Sequence, residues 1–243
     1  MYRLLAAGLA QLWRQFVPAS GGESDHWKRQ LSAIGLQLGR GRISQDQWQR
    51  QIGELYDRAN LANLLQQLDF PAISAKFARD TTTGRPDRFA TVGIGTNWQA
   101  PVRNSREPGR VPISKISHIQ RGRSIPPHGH RSVVSAFLVI SGEFQVRHYD
   151  KLAETPEHLL IRQASDERQR SGDWSSVTDE RNNVHWLTAL TDDCYLFTTK
   201  ITRVTRGLPF AGRIHVDMTR ALDQGNQTVA APKISRELAS EIY

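Results

Sequence analysis

Two histidines one residue apart, His128 and His130, open the strand-forming run "HGHRSVVSAFLVISGEF", and a third, His185, stands in "NNVHWLTAL". On an extended chain, residues two apart project from the same face, so the pair can converge on one ion. Pro126, Pro127 and Gly129 keep that entry extended and uncrowded. If a barrel brings His185 opposite the pair, three neutral imidazoles form a facial set for a divalent transition metal with other coordination positions open. The bland alternative is a pair of exposed loop histidines. What the run lacks is an acid: no carboxylate follows the histidines until Glu143.

Two kinds of element must position these residues. Between residues 23 and 69 apolar side chains recur at helical intervals: Trp27, Leu31, Ile34 and Leu38, then Trp48, Ile52, Leu55 and Tyr56, then Leu61, Leu64, Leu65 and Leu68. "GRGRIS" breaks the pattern, and Ser44 with Gln47 makes a capping box that starts the second helix. The stripe is read as core packing rather than as a cofactor surface. After Pro71 the texture becomes that of an all-β unit, with strands expected at 88–95, 113–120, 133–140, 143–149, 158–161, 184–190, 194–202 and 213–216. "ISGEF" is a tight turn, after which Phe144, Val146 and His148 alternate along a strand. The charged cluster "SDERQR" interrupts the chain, and "AAPKISRELASEIY" reads as a short helix or a loose arm. The expected organisation is a helical segment (1–70), a β-barrel (71–222) and a C-terminal tail (223–243).

The chain has 243 residues and 38% hydrophobic content, enough for one domain with its own core. A formal charge of +8 attracts anions in general. The arginines are scattered and no nucleic-acid-binding motif accompanies them, so a solvated basic surface is expected and no specific nucleic-acid partner. One cysteine, Cys194, excludes an internal disulfide and any multi-cysteine metal site. It is read as a small buried hydrophobe. In "MYRLLAAGLAQLW" the apolar run is cut by Gln11 and then Arg14, short of the ~20 residues a membrane span needs, which favours an amphipathic helix and a cytoplasmic location.

The spacing Gly122, five residues, His128, one residue, His130, four residues, Ser135, six residues, Gly142 resembles the first motif of the cupin superfamily. "ERNNVH" resembles its second motif, with Glu180 in place of a proline, Asn182 in place of a glycine, and His185 retained. Asn tolerates the left-handed turn geometry. The resemblance covers about residues 110 to 205 and implies a mainly β, cupin-type antiparallel jelly roll with a metal on His128, His130 and His185.

Ser135 stands where most metal cupins carry a glutamate ligand. Three imidazoles add no negative charge, so a bound Fe(II) keeps its full +2 and favours an anionic, chelating substrate. Among cupins this arrangement resembles the thiol dioxygenases, of which cysteine dioxygenase is the best known, and which also place helices before the barrel. The resemblance implies a non-haem Fe(II) dioxygenase that uses O2 to oxidise a small anionic substrate, at its narrowest a thiol taken to a sulfinate. Ser135 then hydrogen-bonds a bound water or oxygen species, or simply leaves room. An early-strand arginine pairs with the substrate carboxylate in that family; Arg88 is nearest by position, with Arg85, Arg121 and Arg147 as competitors. Ser135 cannot form the cysteine–tyrosine cross-link found there, and the late strand "CYLFTTKI" lacks the family's histidine.

Two other readings use the same residues: a non-catalytic cupin that binds a metal or small ligand for regulation, and an isomerase or lyase using Zn, Ni or Mn. The superfamily resemblance also implies a homodimer. His118 and His148 are second donors or, preferably, solvent-facing; His26, His158 and His215 carry no motif. Phe137 and Trp186 line a pocket or pack in the core.

Overall fold

A computed structural model describes residues 21–82, 89–93 and 112–243. The apolar stripe falls on α1 (Gly21–Gly39), α2 (Gln45–Asp57), α3 (Leu61–Gln67) and α4 (Phe70–Thr82). The capping box is present at the start of α2: Ser44 Oγ accepts the Gln47 backbone N–H at 3.1 Å and Gln47 Oε1 accepts the Ser44 N–H at 2.8 Å. Trp48 and Ile52 are fully buried, and Trp27 stacks on Tyr56 with ring centroids 5.7 Å apart, so the stripe is core. Helix continues beyond Pro71, where the texture suggested β structure. Pro71 occupies the first turn of α4, a position at which its fixed φ suits a helix and its missing N–H is not needed.

Twelve strands follow among the described residues: β1 (Phe89–Gly93), β2 (Pro112–Ile119), β3 (Ser124–Arg131), β4 (Val133–Ser141), β5 (Glu143–Glu154), β6 (His158–Arg170), β7 (Trp174–Val177), β8 (Val184–Ala189), β9 (Cys194–Thr202), β10 (Ala211–His215), β11 (Leu222–Asp223) and β12 (Thr228–Pro232). One sheet runs β1-β2-β9-β4-β7, the other β10-β3-β8-β5-β6-β12-β11. From the outside inward, β2 pairs with β9, β3 with β8, β4 with β7 and β5 with β6, all antiparallel, and successive pairs alternate between the sheets. This nested pairing is the jelly-roll topology, so the fold is mainly β and antiparallel, as expected. The tail contributes β12 to the second sheet and ends in α5 (Arg236–Ile242), capped by Ser235 Oγ, which accepts the Leu238 N–H at 3.1 Å.

Four strands went unanticipated, β3, β7, β11 and β12, and β6 runs straight through "SDERQR" to Arg170. That part of β6 lies largely on the surface, where its charges pair across to β5: Arg168 with Glu143 at 3.0 Å and Arg147 with Asp166 at 3.1 Å.

Alternation along β4 divides the interior into two layers. Val134, Ala136, Leu138 and Ile140 face the helices, together with Ile116, Phe197 and Ile201. Phe137 and Val139 face the second sheet and pack with Phe144, Val146, Leu187, Leu196 and the free, buried Cys194. The turn from β4 to β5 requires glycine: Gly142 has φ +77°, and a Cβ there would lie 2.6 Å from Cys194 Sγ. Gln45 ties the helices to the β part, donating to Asp179 Oδ2 at 3.0 Å and accepting the Asp179 N–H at 2.9 Å. Asp179 in turn accepts the Ser132 N–H at 2.8 Å, fixing the step from β3 to β4. No helix among the described residues is long and apolar enough to cross a membrane. The N-terminal stretch expected as an amphipathic helix, and the candidate Arg88, lie outside the described residues.

Candidate metal centre

Sheet register aligns the histidines. His215 on β10 is the cross-strand partner of His128 on β3, His128 of His185 on β8, and His185 of His148 on β5. Directly opposed residues share a face, so four imidazoles form one row across the sheet, with His130 two residues along β3. The rings of His128 and His185 are 4.2 Å apart, those of His128 and His130 4.8 Å, and those of His130 and His185 5.3 Å. One ring nitrogen from each of His128, His130 and His185 lies within 4.8 Å of the other two, and all three residues are buried.

Their local anchoring suits a metal. The Nδ1–H of His128 donates to Pro126 O at 2.7 Å, that of His185 to Asn183 O at 3.3 Å, and that of His130 to Gly212 O. A carbonyl can only accept, so each ring carries its proton on Nδ1 and keeps its lone pair on Nε2, the tautomer a metal requires. Burial, reinforced by neighbouring imidazoles and the cations Arg213 and Lys200, holds all three well below the usual histidine range, so the rings are neutral ligands at neutral pH.

The sequence supplies that geometry locally. Pro126 and Pro127 sit where the β3–β8 register shifts, between Ile125 and His128; a bulge tolerates residues that cannot donate to the ladder. Gly129 is needed for close approach, because a Cβ would meet Asn183 Oδ1 at 2.9 Å and Val184 Cγ2 at 3.0 Å. Asn183 Oδ1 also accepts the His130 N–H at 3.1 Å, tying the two histidine segments together. Asn182 adopts φ +55°, the left-handed turn anticipated where the motif normally has glycine.

A cavity of about 1190 Å³ opens over the three histidines, lined from one sheet by Ser117, Ser135, Phe137 and Thr198 among others. Ser135 is buried on β4 and its cross-strand partner on β9 is Lys200. Phe137 lies 5.1 Å from the His185 ring, an apolar wall of the site, whereas Trp186 turns away, under the Arg147 guanidinium and edge-on to Tyr243. Arg147, one of the arginines considered for a substrate carboxylate, is engaged there and with Asp166 outside the cavity; Arg121 is exposed and does not line it.

Sequence reasoning missed the charged wall. Lys115, Lys200 and Arg213 all line the cavity. Each lysine is a lone charge in a strand of apolar and hydroxyl residues, and its inward parity, shared with Ser117 and Thr198, was the available signal. Burial and the neighbouring guanidinium of Arg213 push Lys200 down to about 7 and Lys115 to about 8. His148, expected to face solvent, is buried, with Nδ1 against Ser165 Oγ at 3.1 Å. His215 is also buried, its ring 5.5 Å from that of His128 and its Nδ1 without a partner among the described residues.

These buried imidazoles make stability pH-dependent. His148 is pushed down to about 4 by burial, and His215 to about 4 by burial and by Arg213 and Arg236. Unfolded histidines take up protons below about pH 6.5, while the folded ones resist until near 4. Stability is therefore full above about 6.5 and falls as pH drops toward 4, by about 3 kcal/mol for His148 alone. Urea unfolding of the metal-free protein is expected to show a lower midpoint at pH 4.5 than at pH 7, with a shallower fall in His148→Gln.

No protein-family profile matches the chain, and no curated protein does. Among solved structures it is similar to KdgF from Halomonas sp., at 17% identity and TM-score 0.33 over 48% of this chain and 82% of that one. It is similar also to a Klebsiella pneumoniae protein with a double-stranded β-helix domain, at 17% identity and TM-score 0.30, over 41% of this chain and 70% of that one. A recombinant oxalate oxidase in complex with glycolate matches at 16% identity and TM-score 0.33, over 53% of this chain and 57% of that one.

Proposed function

We propose that this protein is a mononuclear, metal-dependent dioxygenase, with Fe(II) as its metal, that acts on a small anionic substrate; in its narrowest form the substrate is a thiol. The observation that carries this reading is the convergence of three buried, neutral imidazoles on a cavity whose wall is cationic and whose acid position is a serine. His128, His130 and His185 would hold the ion. When bound, Fe(II) supplies a site where an anionic substrate group and O2 can meet, and the reducing power to activate O2.

The chain's own residues do the rest. The carbonyls of Pro126, Asn183 and Gly212 fix the ring tautomers. Phe137 limits water beside His185. Ser135 gives the cavity a hydroxyl donor and adds no charge that would repel an anion. For a thiolate the reaction balances as RS⁻ + O2 → RSO2⁻, both oxygen atoms passing to sulfur.

Oxygen uptake by Fe(II)-loaded protein offered cysteine, 3-mercaptopropionate or cysteamine tests this. Uptake is expected with at least one, abolished in His185→Ala, and faster with 3-mercaptopropionate than with cysteamine, because the cationic wall attracts a carboxylate and repels an ammonium group. No uptake with any of the three would remove the thiol form of the proposal and turn attention to other small anions.

A further inference from the structure

The cavity holds more positive charge than its own residues neutralise. Among the described residues its one acidic lining residue, Glu154, is already engaged by Lys233 at 2.8 Å and by Arg131 and Lys151 at 3.5 Å each. Among the described residues, Lys115, Lys200 and Arg213 have no carboxylate within ion-pair distance.

They are also close together. Lys115 on β2 is opposite Thr198 on β9, and Lys200 lies two residues further along β9, on the same inward face. All three cations line the same cavity as His128, His130 and His185, and Arg213 directly follows Gly212, whose carbonyl anchors His130. Lys200 donates to Gly212 O at 3.3 Å, the same carbonyl that anchors His130. Like charges gathered in a partly desolvated wall repel one another, and a bound anion relieves that cost. The residue opposite Lys200 is Ser135, so the place from which a protein carboxylate could supply the counter-charge is empty of one.

We propose that Lys115, Lys200 and Arg213 form an anion-binding subsite beside the histidines, and that the cavity accepts a small dianion with one anionic group at the metal and the other on this subsite. The dianion rests on the metal-centre reading; the subsite does not. At about 1190 Å³ the cavity is ample for both groups. Two parallel N–H bonds from the Arg213 guanidinium suit a carboxylate or phosphate, and the lysines act as point charges at its edge.

Calorimetric titration of full-length, chelator-treated protein with inorganic phosphate tests the subsite without metal. The unmodified protein should bind it. Lys200→Met and Arg213→Met should each weaken binding at least about tenfold, as loss of a charged hydrogen-bonding partner requires. Lys200→Arg should stay within about threefold, which separates lost charge from lost folding, and His128→Ala should still bind. No binding by the unmodified protein, or an equal loss in the exposed control Arg58→Gln, overturns the subsite. Fe(II)-loaded protein should then bind succinate at least about tenfold more tightly than propionate; equal affinities overturn the dianion. Phosphate binding without Fe(II) uptake would retain the subsite and remove the metal centre, and Fe(II) uptake without phosphate binding the reverse.

Discussion

Replacing His128 or His185 with alanine is expected to leave the purified protein without bound first-row metal, where the unmodified protein carries it. Each residue supplies one of three imidazoles, and among the described residues no other His, Cys, Asp or Glu joins the cluster that can hold an ion. Loss of a group that merely orients a metal ligand costs about 10–100-fold in affinity, so loss of a ligand itself should cost at least about 100-fold. Metal analysis after dialysis, beside the urea midpoint of each variant, separates a vacated site from an unfolded chain. His215→Ala is the informative contrast: its ring neighbours that of His128 at 5.5 Å but lies outside the converging trio, so metal should be retained.

Ser135→Glu is expected to shift the site from anion binding toward tighter metal binding. The introduced carboxylate would stand opposite Lys200, one strand away, in a cavity with room for it. An opposite charge at that range favours the charged lysine, so Lys200 should titrate above its present value of about 7. The carboxylate also offers the centre an oxygen ligand and cancels one positive charge of the wall. Fe(II) affinity should rise, while affinity for phosphate or a small carboxylate falls at least about tenfold. Isothermal titration with metal and anion in separate experiments reads both. Undiminished anion binding in this variant would mean that Lys200 does not contribute to it.

Much of this site was legible because its determinants are local. The histidine pair announced itself through alternation in an extended segment, and the flanking glycines through turn geometry, borne out at Gly142 by its positive φ. The helices were legible because apolar residues repeat at helical spacing, and the capping box because its two partners are three residues apart. What sequence reading missed depends on register between distant strands. His215 had no motif around it and meets His128 only because β10 pairs with β3. Lys115 and Lys200 come together through the β2–β9 ladder, and Ser135 meets Lys200 through β4–β9. Pro126 and Pro127 hid β3, since prolines weaken a strand signal that a bulge then accommodates. The charges of β6 hid a strand whose outer half needs no apolar face. His148 was misplaced for a similar reason: alternation gave its parity, but not that its face turns inward beside His185.

The central claim is that His128, His130 and His185 bind one metal ion as neutral ligands. Anaerobic titration of the metal-free, unmodified protein with Fe(II), followed by calorimetry and metal analysis, tests it most directly. The account predicts uptake of one ion per chain, lost in His128→Ala and His185→Ala. Folded protein that takes up no Fe(II), or takes it up equally after either substitution, would contradict it.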